Sequence, residues 1–470
     1  MKIVMFSINP IFPELITGGA SKHLFNIAKA VGDAGHDVHI LCAQPQNAQP
    51  SFDWAENVRV SQNLPFHLPF PQPYAISGAD LGLILERIAA ELETADRFYI
   101  HDGEFLVPDV YADIPTVTSF RDNIYPESVL GTFVGKADEV ICVSPYSTAV
   151  VKYSAGRYFP GLNDRIHHVN NGIDFTTFKP VDAQALAGEL GIDPEVDQVL
   201  LHPHRPEPGK GLPETVQVVA KLVHQHGMTH LKALIPEWIV SMVSTSESIF
   251  YQGMLRLMDE LGVREHFVFI PWMPQRRMPE LYSLGDATLC LGNFVEAFGN
   301  VAYESIACGT PSVAARVGVH RTLMPDDLIH KVNYGDIDHA VESVLDILNG
   351  EHSHQAQSLD YLKRTMDIER QVTSYREIIT RCEKREGLAY SVPNYTEEHP
   401  YILAPWCYYD GDRIFHDFHG TYTRDQHLTD LLRENSRISR AQAAQVGIQE
   451  AQWHTWLDRT WLVPVELEHE

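Results

Sequence analysis

Apolar residues in this chain come in two spacings, and the two alternate. Short unbroken runs are followed by longer stretches with apolar positions three and four apart. Residues 1–8 form the first run, and Leu24, Ile27, Ala28 and Val31 then fall on one face of a helix over 21–32. A second run, Asp37 to Ala43, follows a turn at Gly35-His36. Unbroken runs fit strands covered on both faces, and the wider spacing fits helices with one face covered. The alternation predicts a helix at 80–95 and strands at 97–101, 115–120, 137–144 and 166–169. Residues 61–75, rich in proline and aromatic side chains, predict a loop.

Asn171-Gly172 and Lys179-Pro180 then punctuate the chain and predict a domain boundary near residue 175. Beyond it the alternation resumes, with strands at 198–202, 230–235 and 266–270, helices at 213–225, 249–261 and 337–348, and further helices within 355–382. Strand, helix, strand in two halves predicts an α/β fold with two Rossmann-like domains, 1–175 and 176–370, facing a central cleft. Residues 391–470 depart from the pattern. They predict a hairpin turned at Asp410-Gly411, then helices near 425–434, 440–446 and 450–461. This C-terminal extension suits either a small winged-helix-like unit contacting a peptide or protein, or a cover for the body of the molecule; the cover is the expectation.

The chemistry concentrates in residues 294–311, FVEAFGNVAYESIACGTP. Ala302, Ile306 and Ala307 fall at helical spacing, Gly309 stands at the C-terminal stop, and the helix begins near Gly299 or Asn300. Its free N–H groups point back towards Glu296, where unpaired donors and the helix dipole favour a phosphate. Glu304, about one turn in, is a poor phosphate ligand but a good acceptor for sugar hydroxyls. A nucleotide sugar offers both groups.

This stretch resembles the Glu-x7-Glu signature of the retaining GT-B glycosyltransferases, the group 1 family that includes sucrose synthases. The resemblance implies that Glu296 contacts donor-sugar hydroxyls and Glu304 the ribose. Phe298, Gly299, Asn300 and Val301 would give backbone N–H groups to sugar and diphosphate. Arg205 and Lys210, five apart in a Pro/Gly loop, resemble the family's Arg-x4-Lys that grips the diphosphate. Negative charge builds there as the glycosidic bond breaks, and two cations oppose it without a metal. Gly18-Gly19 resemble the family's loop at the donor phosphate or acceptor. His101, ending a strand, takes the place of the histidine that reaches the donor sugar. Trp272 and Met273 fall where the backbone meets the nucleobase, and Arg121 and Asp122 are acceptor-side candidates. Phe66, Phe70 and Tyr74 either pack the 61–75 loop or line an acceptor pocket. The resemblance also implies that 371–390 returns to the first domain as a helix. Two departures stand out: His204 replaces the usual glycine before Arg205, and Gly292-Asn293 replaces Pro-Ser.

Composition narrows the partners. With 62 Asp and Glu against 36 Lys and Arg, the net charge of −26 disfavours nucleic acid and anionic bilayers. The first 150 residues hold eight basic and eighteen acidic residues, so a soluble neutral or cationic acceptor is expected over an anionic lipid. The 24 histidines show no third partner at metal spacing, and no metal is expected. Six cysteines without paired spacing, the absence of a long apolar run, and a start broken by Asn9 and Pro10 predict a cytoplasmic protein. The expected function is a retaining hexosyltransferase using a UDP-, GDP- or ADP-sugar and no cofactor. A nucleotide-sugar epimerase of the same fold and a non-catalytic nucleotide-sugar-binding protein are the alternatives.

Overall fold

The computed structural model describes residues 1–13, 18–49, 51–68, 72–205, 207–237, 245–271, 273–350 and 354–466. Strands β1 (Lys2–Ser7), β2 (Asp37–Ala43), β3 (Phe52–Ala55), β4 (Val58–Leu64), β5 (Arg97–Ile100), β6 (Thr116–Phe120), β7 (Glu139–Cys142) and β8 (Ile166–His168) form one sheet, ordered β3-β4-β2-β1-β5-β6-β7-β8. Every pair is parallel except β3 with β4. A second, wholly parallel sheet holds β9 (Gln198–Leu201), β10 (Leu231–Pro236), β11 (Phe267–Ile270), β12 (Ala287–Cys290), β13 (Ser312–Ala315) and β14 (His330–Val332), ordered β11-β10-β9-β12-β13-β14.

Both sheets are covered on both faces, which is why their strands read as unbroken apolar runs. Ile3, Val4, Met5 and Phe6 are wholly buried, as are Ala287 and Leu289. Each sheet also reverses its winding once, between β1 and β5 in the first and between β9 and β12 in the second. Ligands of open α/β sheets bind beyond the strand ends at such reversals. The loops leaving β1, β5, β9 and β12 carry Gly18-Gly19, His101, Arg205 with Lys210, and Glu296 respectively.

One element differs from the pattern read in the sequence. Residues 61–64 complete β4 instead of starting a loop, because Val58, Val60 and Leu64 bury against the neighbouring layer. The helices expected over 355–382 are Gln355–Thr365 and Ile368–Arg381, and Asp367 caps the second by accepting from the Glu369 N–H at 2.8 Å. The second helix packs on Gly19–Asp33, β5 and β6, and puts Tyr375 and Ile379 into the core of the first sheet.

In the extension, Tyr401–Leu403 pairs with Leu462–Pro464, and Cys407–Asp410, Arg413–His416 and Thr421–Arg424 form an antiparallel meander. Helices Gln426–Glu434, Arg440–Gln445 and Glu450–Asp458 follow, so the meander strands precede all three helices. Trp406, Trp453, Trp456 and Trp461 lie in one buried cluster with Phe298, Tyr303 and Leu281 of the second domain. The extension therefore shares a core with that domain. No helix among the described residues is long and apolar enough to cross a membrane.

Candidate active site

Two glycine-dependent loops build the second-domain half of the site. Gly209 and Gly211 adopt positive φ, and the Phe294 N–H donates to the Gly209 carbonyl at 2.9 Å. A Cβ on Gly292 would lie 2.0 Å from that carbonyl oxygen, so backbone meets backbone here and the glycine in place of the family's proline has a steric reason. The close approach seats Lys210 beside Glu296. Its ammonium lies 2.7 Å from Glu296 Oε1 and 3.4 Å from the centre of the Phe294 ring. Burial pushes the Glu296 carboxyl up, but Lys210 outweighs it and holds the group below its ordinary range. Arg205 is exposed, with Nε 3.1 Å from Glu207.

The helix expected near Gly299 runs Asn300–Ala307, capped by Gly299 in the left-handed region at φ 72°. A Cβ at Gly299 would lie 2.3 Å from the His320 ring, so this cap admits no larger residue. Phe298 is buried under the loop, while Asn300 and Val301 are half-buried at the helix start. His320 packs against the loop, its Nδ1 3.0 Å from the Tyr303 hydroxyl. Burial brings His320 down to about 4 and His204 to about 3, so both rings are neutral near pH 7. His204 stands in the field of Lys210 and His320, and its Nε2 has no partner.

The first domain closes on this half. A Cβ on Gly19 would come 3.1 Å from Asn300 Nδ2, which brings the starts of helices Gly19–Asp33 and Asn300–Ala307 together across the cleft. Lys22, on the first of these helices, donates to Glu304 Oε1 at 2.8 Å, and the Tyr282 hydroxyl donates to Glu304 Oε2 at 3.2 Å. Glu304 thus lies in an interdomain ion pair. His101 is buried, with Nε2 donating to the Ala20 carbonyl at 3.1 Å and Nδ1 2.9 Å from the Tyr99 hydroxyl. Burial and then Arg121 hold its pKa well down, leaving a neutral ring that supports the glycine loop.

The remaining candidates divide. Asp122 accepts from the N–H groups of Ile124 and Tyr125 at 2.6 and 2.8 Å and lies within the field of Glu296 and Lys210. Arg121 is committed elsewhere, donating to Tyr375 at 3.2 Å and to Asn171 at 2.8 Å, with Asp102 at 3.6 Å. It ties β6 to the helix Ile368–Arg381. Met273 is half-buried against the core that holds Phe298, while Trp272 and Phe70 lie outside the described residues. Phe66 and Tyr74 pack on each other at 5.4 Å, and the Tyr74 hydroxyl donates to the Glu104 carbonyl at 2.6 Å. Lys22 and His320 escaped the sequence reading. Lys22 left no local signal, because it stands opposite the apolar face of its helix and is buried only where Glu304 of the second domain meets it.

Two glycine-opened helix starts, Lys22 and Lys210, and Glu304 and Glu296 thus meet where the two sheets reverse. Residues 192–363 match the family Glycosyl transferases group 1, and residues 17–177 match Glycosyltransferase Family 4. The two halves of the chain thus carry glycosyltransferase domains, on a GT-B fold. The chain is 37% identical over 164 residues to D-inositol 3-phosphate glycosyltransferase of Acidothermus cellulolyticus, covering 35% of this chain and 36% of that one. It is 31% identical over 186 residues to D-inositol 3-phosphate glycosyltransferase 2 of Catenulispora acidiphila, covering 39% and 43%. The chain thus spans about two-fifths of the length of the curated relatives it matches. Anabaena HepE, solved with UDP and glucose, superposes with a TM-score of 0.64 at 19% identity over 81% of this chain and 99% of that one. Sucrose-phosphate synthase of Thermosynechococcus elongatus gives 0.62 at 15% identity over 81% and 98%. At such identities the superpositions speak for the fold alone.

Proposed function

We propose that this protein transfers a hexose from a nucleotide sugar to an acceptor hydroxyl with retention of anomeric configuration. The observation that carries this reading is the Lys210–Glu296 pair at 2.7 Å beside the glycine-capped helix start. That pair joins a phosphate-seeking cation to a hydroxyl-seeking carboxylate where the glycosidic bond of a nucleotide sugar would lie. Lys210, Arg205 and the N–H groups of 299–301 hold the diphosphate and stabilise it as it leaves. Glu296 orients the sugar, Glu304 takes the ribose hydroxyls, and Met273 lies at the base. Gly18, Gly19 and the neutral His101 close the site from the first domain, and Asp122 faces the acceptor.

Retention through a double displacement needs a carboxylate nucleophile about 5 Å from an acid. Glu296 is already engaged by Lys210, so the reading favours substitution on one face of the sugar, with the leaving phosphate taking the acceptor proton. The nucleotide is UDP, GDP or ADP, and the HepE complex with UDP lends weight to UDP. Domain limits of 1–175, 176–370 and 371–390 with an extension over 391–470 suit the two sheets. Six buried, unpaired cysteines suit the cytoplasm.

The test is a thermal-shift screen with UDP, GDP, ADP and TDP, then their sugars. A selective nucleotide at about a hundred times its dissociation constant adds roughly 2.7 kcal/mol. Nucleotide release that requires an acceptor then separates transfer from epimerisation and from mere binding. No shift with any nucleotide in folded protein would defeat the reading.

A further inference from the structure

In the extension, the strands Arg413–His416 and Thr421–Arg424 are joined by a turn over 417–420, and this turn holds the Glu296 loop from two sides. On one side Gly420, in the left-handed region at φ 62°, lies on Asn293. A Cβ on Gly420 would come 2.7 Å from Asn293 Nδ2, and a Cβ on Gly209 would come 3.2 Å from Asn293 Oδ1. Asn293 is therefore wedged between the extension and the loop that carries Lys210.

On the other side the turn acts through Gly318–Arg321. Asp417 Oδ1 accepts from Arg321, which also donates to the carbonyls of Pro405 and Cys407 at 2.7 and 3.1 Å. Three acceptors of the extension thus fix one guanidinium. The residues just before it all touch the site. A Cβ on Gly318 would lie 2.9 Å from the Glu296 carbonyl oxygen, and the Val319 N–H donates to that oxygen at 3.2 Å. His320 backs the Gly299 cap.

A cover needs only the apolar cluster around its tryptophans. This turn adds polar and backbone contacts on both flanks of Glu296, where a small displacement is felt in binding and rate. We propose that the extension completes the donor site, with Asp417 and Gly420 as positioning residues for the Lys210–Glu296 pair. Gly420 acts through Asn293, and Asp417 through Arg321. This rests on the glycosyltransferase reading above and goes beyond it, because the pair lies within the matched residues 192–363 and the extension lies outside them.

The test measures, by calorimetry on the full chain, affinity for UDP, GDP, ADP and TDP. Gly420→Ala drives a methyl onto Asn293 and weakens the nucleotide that the wild type binds by about ten-fold. Gly411→Ala strains the other turn of the same meander equally, at φ 60° with nothing within 4 Å, and leaves affinity unchanged. Asn293→Ser shortens the opposing side chain, and adding it to Gly420→Ala restores affinity to within about three-fold of Asn293→Ser alone. Arg321→Lys keeps the charge beside Asp417, loses the fork across Pro405 and Cys407, and also weakens binding. The two arms act on separate flanks, so either decides if the other variant does not fold. Equal affinity in Gly420→Ala and Gly411→Ala, no rescue by Asn293→Ser, or full affinity in Arg321→Lys would overturn the assignment. A folded wild type that binds none of the four nucleotides would defeat the glycosyltransferase reading, and this inference with it.

Discussion

Lys22 in the first domain and Glu304 in the second meet at 2.8 Å, with side chains 10% and 9% exposed. The pair is at once an interdomain bond and a positioning device. Glu304 Oε1 takes Lys22 and Oε2 takes Tyr282, and each carboxylate oxygen keeps a second lone pair. Removing one partner of a buried pair costs about 3–5 kcal/mol because the other charge is stranded. Lys22→Met is expected to lower urea stability on that scale, while Lys22→Met with Glu304→Gln recovers part of the loss. A double-mutant cycle checks this, and strictly additive losses would mean that the two side chains do not meet in solution.

Lys210 and Glu296 touch, yet their removal should separate. Lys210→Ala takes away a charge-assisted phosphate bond and should weaken nucleoside diphosphate binding roughly 10- to 100-fold. Glu296→Gln frees the ammonium at 2.7 Å, so diphosphate affinity should hold or rise while sugar transfer falls on the order of 100-fold. Calorimetry with the nucleoside diphosphate and single-turnover transfer with its sugar read the two effects. Equal loss of diphosphate affinity in both variants would sink the division of roles.

Much of this arrangement was legible in the sequence because it follows from local rules. Unbroken runs such as Asp37–Ala43 marked strands, and Gly299 marked the start of a helix whose bounds, Asn300–Ala307, came close to expectation. What escaped depends on distance along the chain. Lys22 and Glu304 lie 282 residues apart, and nothing local to either announces the other. The engagement of Arg121 with Tyr375 is equally remote, so a guanidinium that read as free for an acceptor is a structural tie. Strands of three or four residues, such as Phe52–Ala55 and Leu462–Pro464, are too short for a period to show.

His320 gives stability a pH dependence of known sign. Burial brings its pKa from 6.5 down to about 4, with Glu296 partly opposing and Lys331 and Lys210 assisting. Between those values the unfolded chain binds a proton that the folded chain refuses, so stability falls as pH drops from 6.5 towards 4. The contribution is on the order of 3 kcal/mol. Asp102, raised by burial from 3.8 to about 7, acts in the opposite sense but is common to wild type and variant. His320→Asn should therefore flatten the dependence of the urea midpoint on pH between about 4.5 and 7. An unchanged slope would show that the ring is not held neutral.

Asp417 decides whether the extension is a cover or a separate body. The Tyr146 hydroxyl, from the first domain, donates to its Oδ2 at 2.7 Å, and Arg321, from the second, donates to its Oδ1. Arg321 also donates to the carbonyls of Pro405 and Cys407 at 2.7 and 3.1 Å. One buried carboxylate thus binds all three parts of the chain, and four of the seven tryptophans stand in the core behind it. Tryptophan fluorescence reports largely on the extension, and far-ultraviolet circular dichroism on the two sheets as well. Coincident thermal transitions are expected in the wild type. Asp417→Ala strands Arg321 at a cost of about 3–5 kcal/mol, and its fluorescence transition should then precede the dichroism transition. Asp417→Asn keeps an acceptor oxygen for Arg321 and turns an amide N–H to the Tyr146 hydroxyl, and should lose less. Separate transitions already present in the wild type would show instead that the extension unfolds on its own, whatever Asp417 holds.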